Sequence, residues 1–536
     1  MPSDGMAAET AHGAVCPMAV SVFPPLKNDD GCDRMCIGIF FQFNEALHQP
    51  HPHCNPKGRV CPRLFPVNLG IKFNFLPSFQ KNFTDFPDMT EEGPHMKRLL
   101  KSIAVLLSSI LLLTGCTAKN SRLDPHDPVT LTMWHVYGEQ ADSPMNRLVE
   151  EFNATVGAEK GVVINVTLMT NSTDIGPKLL ASQKGIAGAG EMPDLFSCHT
   201  GNAAELGTDN LIDWNEYFPA EERASFVDSF LEEGKIDGHL NVLPVSKSTH
   251  ILFLNGNLFQ RFSKDTGISE EDLSTWDGFF KVAEAYYEWS GGMPFCALDF
   301  LLRAVELNGI SQGTPVKMEN GWYDFADPNL QKAFEPFARA LVKGQIAVSD
   351  LYSNTQVMTG EVAAGLGSCA AILYYNDTVT YEDNTSEPMN LITLPMPHAA
   401  KGEPVTTQAG VGLCAYKTTD AKAEAASLFA HWLTEPERNL DFVASTGYMP
   451  VNHQAFDAID GYTFADEGYA KVYHTLKEVR DNYTAYTEPS YPGYYERVNQ
   501  LYTDIRSRQQ DWANRYKNGE NIDVLTQEFW ELFRSV

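Results

Sequence analysis

The feature that most constrains this chain begins at Met96, because it decides which residues belong to a fold at all. Met96-Lys97-Arg98-Leu99-Leu100-Lys101 leads into an apolar run that ends at Leu113-Thr114-Gly115-Cys116. Three cations, a short apolar stretch and small residues before a cysteine are the layout of a secretory signal. The run from Ile103 to Leu113 is too short to cross a bilayer, which takes roughly 20 apolar residues. With Lys97, Arg98 and Lys101 at one end only, it does not read as a buried core helix.

If Met96 is the start, residues 1–95 need another account. They hold five of the ten cysteines (Cys16, Cys32, Cys36, Cys54, Cys61), many prolines and no sustained period of 2 or 3.6. His51, His53, Cys54 and Cys61 lack the paired C-x-x-C spacing of a zinc module. Glu91-Glu92-Gly93 can be encoded as GAG-GAG-GGN, a purine-rich ribosome-binding sequence just upstream of the Met96 codon. The expectation is that residues 1–95 are untranslated leader. Peptides from 1–95 in a digest of the natural protein would overturn it.

The ending at Cys116 resembles the lipobox of bacterial lipoproteins, in which the cysteine is diacylated and becomes the mature N-terminus. That resemblance implies a signal peptide over 96–115, lipid attachment at Cys116 and a position on the outer face of the cytoplasmic membrane. The polar, proline-bearing residues 116–128 read as a tether. Residues 1–115 carry ten basic and ten acidic side chains, so the whole formal charge of −29 lies on the exported body. So acidic a surface argues against nucleic acid or an anionic membrane as partner. No second long apolar segment follows, so the body is expected to be soluble and held by its lipid. Cys198, Cys296, Cys369 and Cys414 are widely spaced. Export permits disulfides between them, and buried free thiols fit equally well.

The body is long enough for two cores. Val129, Leu131 and Met133 alternate with threonines as in a strand, and Pro144 to Asn153 carries apolar residues at helical spacing. Val162 to Leu168 alternates again, and Pro193-Asp194-Leu195-Phe196 opens a third strand. This β-α-β-α-β rhythm predicts a parallel sheet with ligand beyond its carboxyl ends, near His135–Glu139 and Ser197–Gly201. The stretch from Ser248 to Asn390 is richer in helix. Thr275 reads as an N-cap for a helix over Trp276–Trp289. Gly360 to Tyr375 reads as a helix end, a small-residue turn and then a short strand. Ala423 to Leu433 marks an amphipathic helix that stops before Pro436.

Motifs for catalysis are missing. Gly365-Leu366-Gly367-Ser368-Cys369-Ala370 looks like a dinucleotide loop but has neither the strand nor the helix such a loop needs. No phosphate-binding P-loop, H-E-x-x-H or G-x-S-x-G occurs, and no carboxylate pair stands out. No cofactor or metal is called for. What recurs instead is aromatic and uncharged polar chemistry near turns: Trp134, Tyr137, Trp322, Tyr374, Tyr375, Tyr448, Tyr491, Tyr494 and Tyr495. Flat rings offer an apolar face to the C–H side of a sugar, while O–H and N–H groups orient it. Any one of them can equally be core packing.

Several segments resemble family 1 extracellular solute-binding proteins, the capture components of ATP-driven importers. Leu243-Pro244-Val245-Ser246-Lys247-Ser248-Thr249-His250-Ile251-Leu252-Phe253-Leu254-Asn255 looks like their crossover strand. Thr275-Trp276-Asp277-Gly278-Phe279 is similar to their T-W-D-E-F helix start, and Thr359-Gly360-Glu361-Val362-Ala363-Ala364 to their F-x-x-G-x-A-A-M element. Gln408-Ala409-Gly410-Val411-Gly412-Leu413 and Thr446-Gly447-Tyr448-Met449-Pro450-Val451 resemble two further family segments. Order and spacing match over almost all of 129–500.

Within that family the look is closest to the glycerol-3-phosphate-binding branch, where Ser248, Gly410, Tyr448 and Arg497 resemble ligand contacts. Arg497 would clamp a phosphate bidentately. Thr173 stands where the branch has a tyrosine, His199 near a glutamate position, and Tyr374-Tyr375-Asn376 in place of a serine-rich turn. A mono- or oligosaccharide is therefore as well suited as a glycerol phosphate. The expected ligand-binding set is Trp134, Tyr137, His199, Ser246, Ser248, Trp322, Tyr375, Gly410, Tyr448 and Arg497.

The resemblance implies a two-lobe, periplasmic-binding-protein type II-like α/β fold with ligand held between lobes. Lobe 1 would combine 129–246 and 396–434, and lobe 2 would combine 247–395 and 435–536. The partners implied are a small solute and the permease and ATPase subunits of an ABC importer, with the protein itself a non-enzymatic monomer. The competing reading is a secreted glycoside hydrolase, which would need two carboxylates about 5–10 Å apart across the cleft.

Overall fold

The computed structural model describes residues 121–137, 143–169, 172–349, 352–487, 491 and 493–536. The chain divides into Met1–Thr114 and Gly115–Val536, and every described residue lies in the second unit. The leader, the signal segment, Cys116 and the side chain of Thr173 fall outside the described residues.

Alternating apolar strands and amphipathic helices build two main sheets in this unit, beside four two-stranded ones among the described residues. The first half of the chain supplies β1 (Val129–His135), α1 (Pro144–Ala154), β2 (Val162–Leu168), α2 (Ser172–Gln183), β3 (Leu195–Cys198), α3 (Thr200–Leu206) and α4 (Asp228–Glu233). There follow β4 (His250–Asn255), α5 (Trp276–Trp289), β5 (Cys296–Leu298), α6 (Leu301–Ser311), α7 (Pro328–Val342), β6 (Ile346–Val348), α8 (Ser353–Met358) and β7 (Ala364–Ser368). The last part supplies β8 (Leu391–Pro395), β9 (Val405–Gln408), β10 (Gly412–Ala415), α9 (Asp420–Thr434) and α10 (Pro436–Ala444). It ends with α11 (Glu467–Asn482), β11 (Thr484–Thr487), α12 (Tyr494–Lys517) and α13 (Ile522–Ser535).

The first sheet has the order β10-β3-β1-β2. β1 runs parallel to β2 and β3, as the β-α-β rhythm predicts, and β10 adds an antiparallel edge, with Gly412 opposite Cys198. Side chains alternate across a strand. Leu131 and Met133 therefore pack on Met145, Phe152 and Phe429, while Phe196, Cys198 and Cys414 pack with Ile175, Leu179 and Ala203 on the other face. The second sheet has the order β6-β5-β7-β4-β8, with β5, β6 and β7 parallel and β4 antiparallel between β7 and β8. Its larger core gathers Phe279, Phe295, Leu302, Phe334, Phe337 and Phe529. Cys198, Cys296, Cys369 and Cys414 are buried free thiols.

Local signals hold where they were strong. Thr275 Oγ accepts the Gly278 amide at 3.2 Å, and Ser143 caps α1 ahead of Pro144 at its first turn. The reading of 360–375 is corrected. The small residues Ala364–Ser368 form the strand, and Cys369–Tyr374 form a 3₁₀ helix after it. Alanine and glycine carry little strand preference, so the pattern looks like a turn. They are small because α8 lies on them: a Cβ at Gly365 would sit 2.6 Å from Ser353 Oγ.

The chain crosses between the sheets in segments that zip together. Leu243 bridges Leu413, Lys247 bridges Met449 and Ser248 bridges Ala409. The division between lobes differs from the one expected. β9 pairs with β11 and packs on α6 of the second lobe. Residues 435–453 lie on the first lobe, where Asn452 bridges Phe226, the Val227 amide donates to the Val451 carbonyl at 3.0 Å, and α10 packs on α1. Pro436 ends α9 and starts α10 in place, which turns the chain back before it crosses. Residues 121 and 122, within the expected tether, are held on α9. Ser121 Oγ donates to Glu424 at 2.7 Å, and Arg122 pairs with Asp420 at 2.8 Å.

Among the described residues no helix is long and apolar enough to cross a membrane.

Candidate functional site

Both sheets turn the ends of their parallel strands toward the crossover segments. The crossover at Ser248–Thr249 feeds straight into β4, and His250 of β4 lies opposite Ser368 at the end of β7. In the first sheet Gly412, which follows the return crossover, lies opposite Cys198 at the end of β3. Open α/β sheets bind ligands beyond such carboxyl ends.

On the first lobe, Tyr137 leaves the end of β1 and shares a hydrogen bond with Ser246 at 2.8 Å between their hydroxyls. Its ring meets Phe442 edge-on at 5.2 Å and Tyr448 at 5.9 Å. Burial pushes the Tyr137 hydroxyl up to about 12, only partly opposed by the bond to Ser246, so it stays a neutral donor and acceptor. Beneath it, His135 Nδ1 accepts the Tyr137 amide at 3.1 Å, which assigns the proton to Nε2, 2.8 Å from Asn146 Oδ1. Burial lowers the His135 pKa, which keeps the imidazole neutral. The Tyr448 backbone is held in turn by Tyr473, whose hydroxyl donates to its carbonyl at 2.6 Å.

The crossover backbone completes this side. Ser248 and Ala409 exchange both amide bonds, at 2.9 and 3.0 Å. Gly410, next in line, has φ +117°, a conformation that side chains rarely tolerate. A Cβ there would be 3.6 Å or more from its neighbours, so strain, not space, selects glycine.

On the second lobe the ring pair is His250 and Phe300, stacked at 4.2 Å and 7°. Tyr352, from the loop after β6, and Tyr374, at the end of the 3₁₀ helix after β7, are exposed, Tyr352 to 62%. His250, Phe300 and Tyr352 stand outside the set expected from the sequence. His250 lay inside a quoted motif, and the signal for the others was an aromatic placed within four residues of a strand end.

The expected site residues therefore separate into groups. Tyr137, Ser246, Ser248, Gly410 and Tyr448 are brought together at the crossovers. His199 sits half-buried at the start of α3, beyond the end of β3. Trp134 faces away from Met133 and packs against the α2 side of the first sheet. Tyr375 stacks on Phe253 at 4.8 Å, with its hydroxyl buried and unpartnered. Trp322 and Arg497 lie apart from the crossover group. Trp322 is core, packed with Tyr494 and Phe533. The Arg497 guanidinium lies 4.5 Å over the Trp322 ring and donates to the Val536 carbonyl at 2.9 and 3.2 Å. Its Nε and one terminal nitrogen are thus engaged within the second lobe. Among the described residues no cluster of three His, Cys, Asp or Glu is arranged to hold a metal ion.

Comparison with known proteins agrees with this architecture. The family described as bacterial extracellular solute-binding protein matches residues 147–469. A search of curated proteins finds no match. Among solved structures, the cyclic alpha-maltosyl-1,6-maltose binding protein from Arthrobacter globiformis is 19% identical, with 76% of this chain and 100% of that one aligned at a TM-score of 0.55. UgpB from Mycobacterium tuberculosis, in complex with glycerophosphocholine, is 16% identical over 72% of this chain and 99% of its own, also at 0.55. The sugar-binding protein MalE from Xanthomonas citri is 17% identical over 76% and 96%, at 0.54. At such identities the likeness is one of fold, a two-lobe α/β binding-protein fold.

Proposed function

The chain belongs to the bacterial extracellular solute-binding proteins, and from that premise we propose that it captures a sugar, a mono- or oligosaccharide, for an ABC importer. The observation that carries the reading is the Tyr137–Ser246–Tyr448 group at the crossovers, with the His250–Phe300 ring pair where the first crossover enters the second sheet. Neutral hydroxyls and flat rings match the two faces of a sugar. A glycerophosphodiester, such as the glycerophosphocholine held by UgpB, fits less well, because two nitrogens of the arginine expected to clamp its phosphate are bonded to Val536.

Contacts from both lobes would favour the closed state, since a ligand shifts a hinge equilibrium by its differential affinity for the two forms. The chain does no chemistry in this scheme. As a monomer, it would hand the solute to a permease whose ATPase is a separate subunit. Acylation of Cys116 would keep it at the membrane, and one acyl chain alone would hold it only marginally.

A thermal-shift screen of sugars and glycerophosphodiesters, followed by calorimetry, tests the reading, because a ligand that binds only the folded form raises the melting temperature. A sugar that stabilises the protein and is recovered unchanged supports it. Turnover of that sugar would replace it with a hydrolase.

A further inference from the structure

Asp299 follows β5 directly, and its carboxylate reaches across to the start of α8. Oδ1 accepts the Ser353 amide at 2.7 Å, and Oδ2 accepts the Ser353 hydroxyl at 3.1 Å. The Asp299 amide donates to Leu366 of β7 at 3.0 Å. One side chain thus joins the loops that follow the neighbouring strands β5 and β6. A helix is ordinarily capped by the residue just before it. Here that residue is Tyr352, which makes no side-chain cap.

The sheet is built around this contact. A Cβ at Gly367 would lie 2.4 Å from Asp299 Oδ2, and one at Gly365 would lie 2.6 Å from Ser353 Oγ. The β7 strand is bare of side chains where the two residues cross it. Asp299 keeps some surface in contact with solvent, but its carboxylate is packed round with protein atoms. The groups that face it are the hydroxyls of Ser349, Ser353 and Tyr375 and the Cys296 thiol. A cation enters nearby through Arg506, which donates to the Ser349 carbonyl at 3.2 Å.

The neighbours of the two bridged residues are the rings of the second lobe. Phe300 follows Asp299 and stacks on His250, and Tyr352 precedes Ser353 and is exposed. We propose that Asp299 is a positioning residue for the second-lobe half of the ligand site, its carboxylate holding Phe300 and Tyr352 at a set distance. The proposal rests on the solute-binding reading for its functional meaning. Burial raises the Asp299 pKa to about 6. The ionised carboxylate that accepts both Ser353 bonds is therefore present at pH 7.5 and lost by pH 5.

The test compares the full exported chain with Asp299→Ala and Asp299→Asn. Hydrogen exchange needs no ligand: Asp299→Ala should speed exchange over 299–303 and 352–358 and leave the first lobe unchanged. Maltose and glycerophosphocholine are then titrated by calorimetry from pH 5 to 8. Wild type should bind its preferred probe about tenfold more weakly at pH 5 than at pH 7.5, the scale of one charge-assisted bond. Asp299→Asn should lose that dependence, and Asp299→Ala should bind weakly throughout. If Asp299→Ala fails to fold, the flat profile of Asp299→Asn still decides. A variant with wild-type exchange in both loops and a wild-type pH profile overturns the proposal. Should neither probe bind wild type, the solute reading suffers, while the exchange measurement still judges the bridge.

Discussion

The ammonium of Lys247 lies 2.8 Å from the Glu233 carboxylate, with the lysine side chain only 2% exposed. This ion pair ties α4 of the first lobe to the first crossover. Its other oxygen accepts Gln408 Nε2 of β9 at 2.5 Å, so the return crossover is held by the same carboxylate. Lys247 also bridges Met449 through its backbone. Three passages of chain between the lobes thus converge on one buried charge pair. Removing one partner of such a pair strands the other.

Lys247→Met is expected to destabilise the protein by about 3–5 kcal/mol, because Glu233 is left buried without its cation. The double variant Lys247→Met/Glu233→Gln should recover most of that loss while keeping the bond to Gln408. Urea denaturation of the two proteins measures both. A single variant that loses under about 1 kcal/mol would mean that the pair is solvated in solution.

Tyr137→Phe removes the hydroxyl that meets Ser246 at the crossover. Leaving the serine without its partner should cost about 1–2 kcal/mol of stability. If Tyr137 also touches the solute, affinity for the best sugar should fall about tenfold as well. Unchanged affinity beside lowered stability would assign Tyr137 to packing alone.

Arg497→Ala discriminates the two solute classes. Its guanidinium is held over Trp322 and against the Val536 carbonyl. The expected outcome is unaltered solute affinity with a stability loss of about 1–2 kcal/mol, from the lost ring contact and hydrogen bonds. Abolished glycerophosphocholine binding in this variant would restore the phosphate clamp.

Asp299 should leave a signature in stability against pH. Its folded pKa of about 6 exceeds the ordinary 3.8 because burial disfavours the charged form. For a raised pKa, the stabilisation is fully present below the unfolded value and is lost as pH rises through the folded one. Between pH 4 and 6, wild type should therefore lose about 2 kcal/mol relative to Asp299→Asn, after discounting for partial exposure. Parallel curves for the two proteins in melting experiments would argue that the carboxyl is solvated.

Much of the fold is legible in the residues because its causes are local. The alternation in Val129–His135 and Val162–Leu168, the cap at Thr275 and the stop at Pro436 each depend on neighbours a few positions away. The strand expected within 360–375 falls earlier, on the small residues of β7, because these answer to Asp299 and Ser353 lying on them, a pair 54 residues apart in sequence. The lobe assignment of 435–453 was likewise decided by pairing with Phe226 and Val227, far upstream.

The sequence by itself determined the secretory signal layout before Cys116, the acidic body, the β-α-β succession and the recurrence of rings and hydroxyls near turns. These follow from composition and short-range period, which one strand of text contains. Only the tertiary structure decided which rings and hydroxyls meet. It joined Tyr137 to Ser246 across 109 residues, placed Phe300 on His250, and turned Arg497 into a partner of Trp322 and Val536. A guanidinium or a phenol carries the same chemistry in any sequence. What it binds is set by the groups that distant segments bring within hydrogen-bonding or stacking distance.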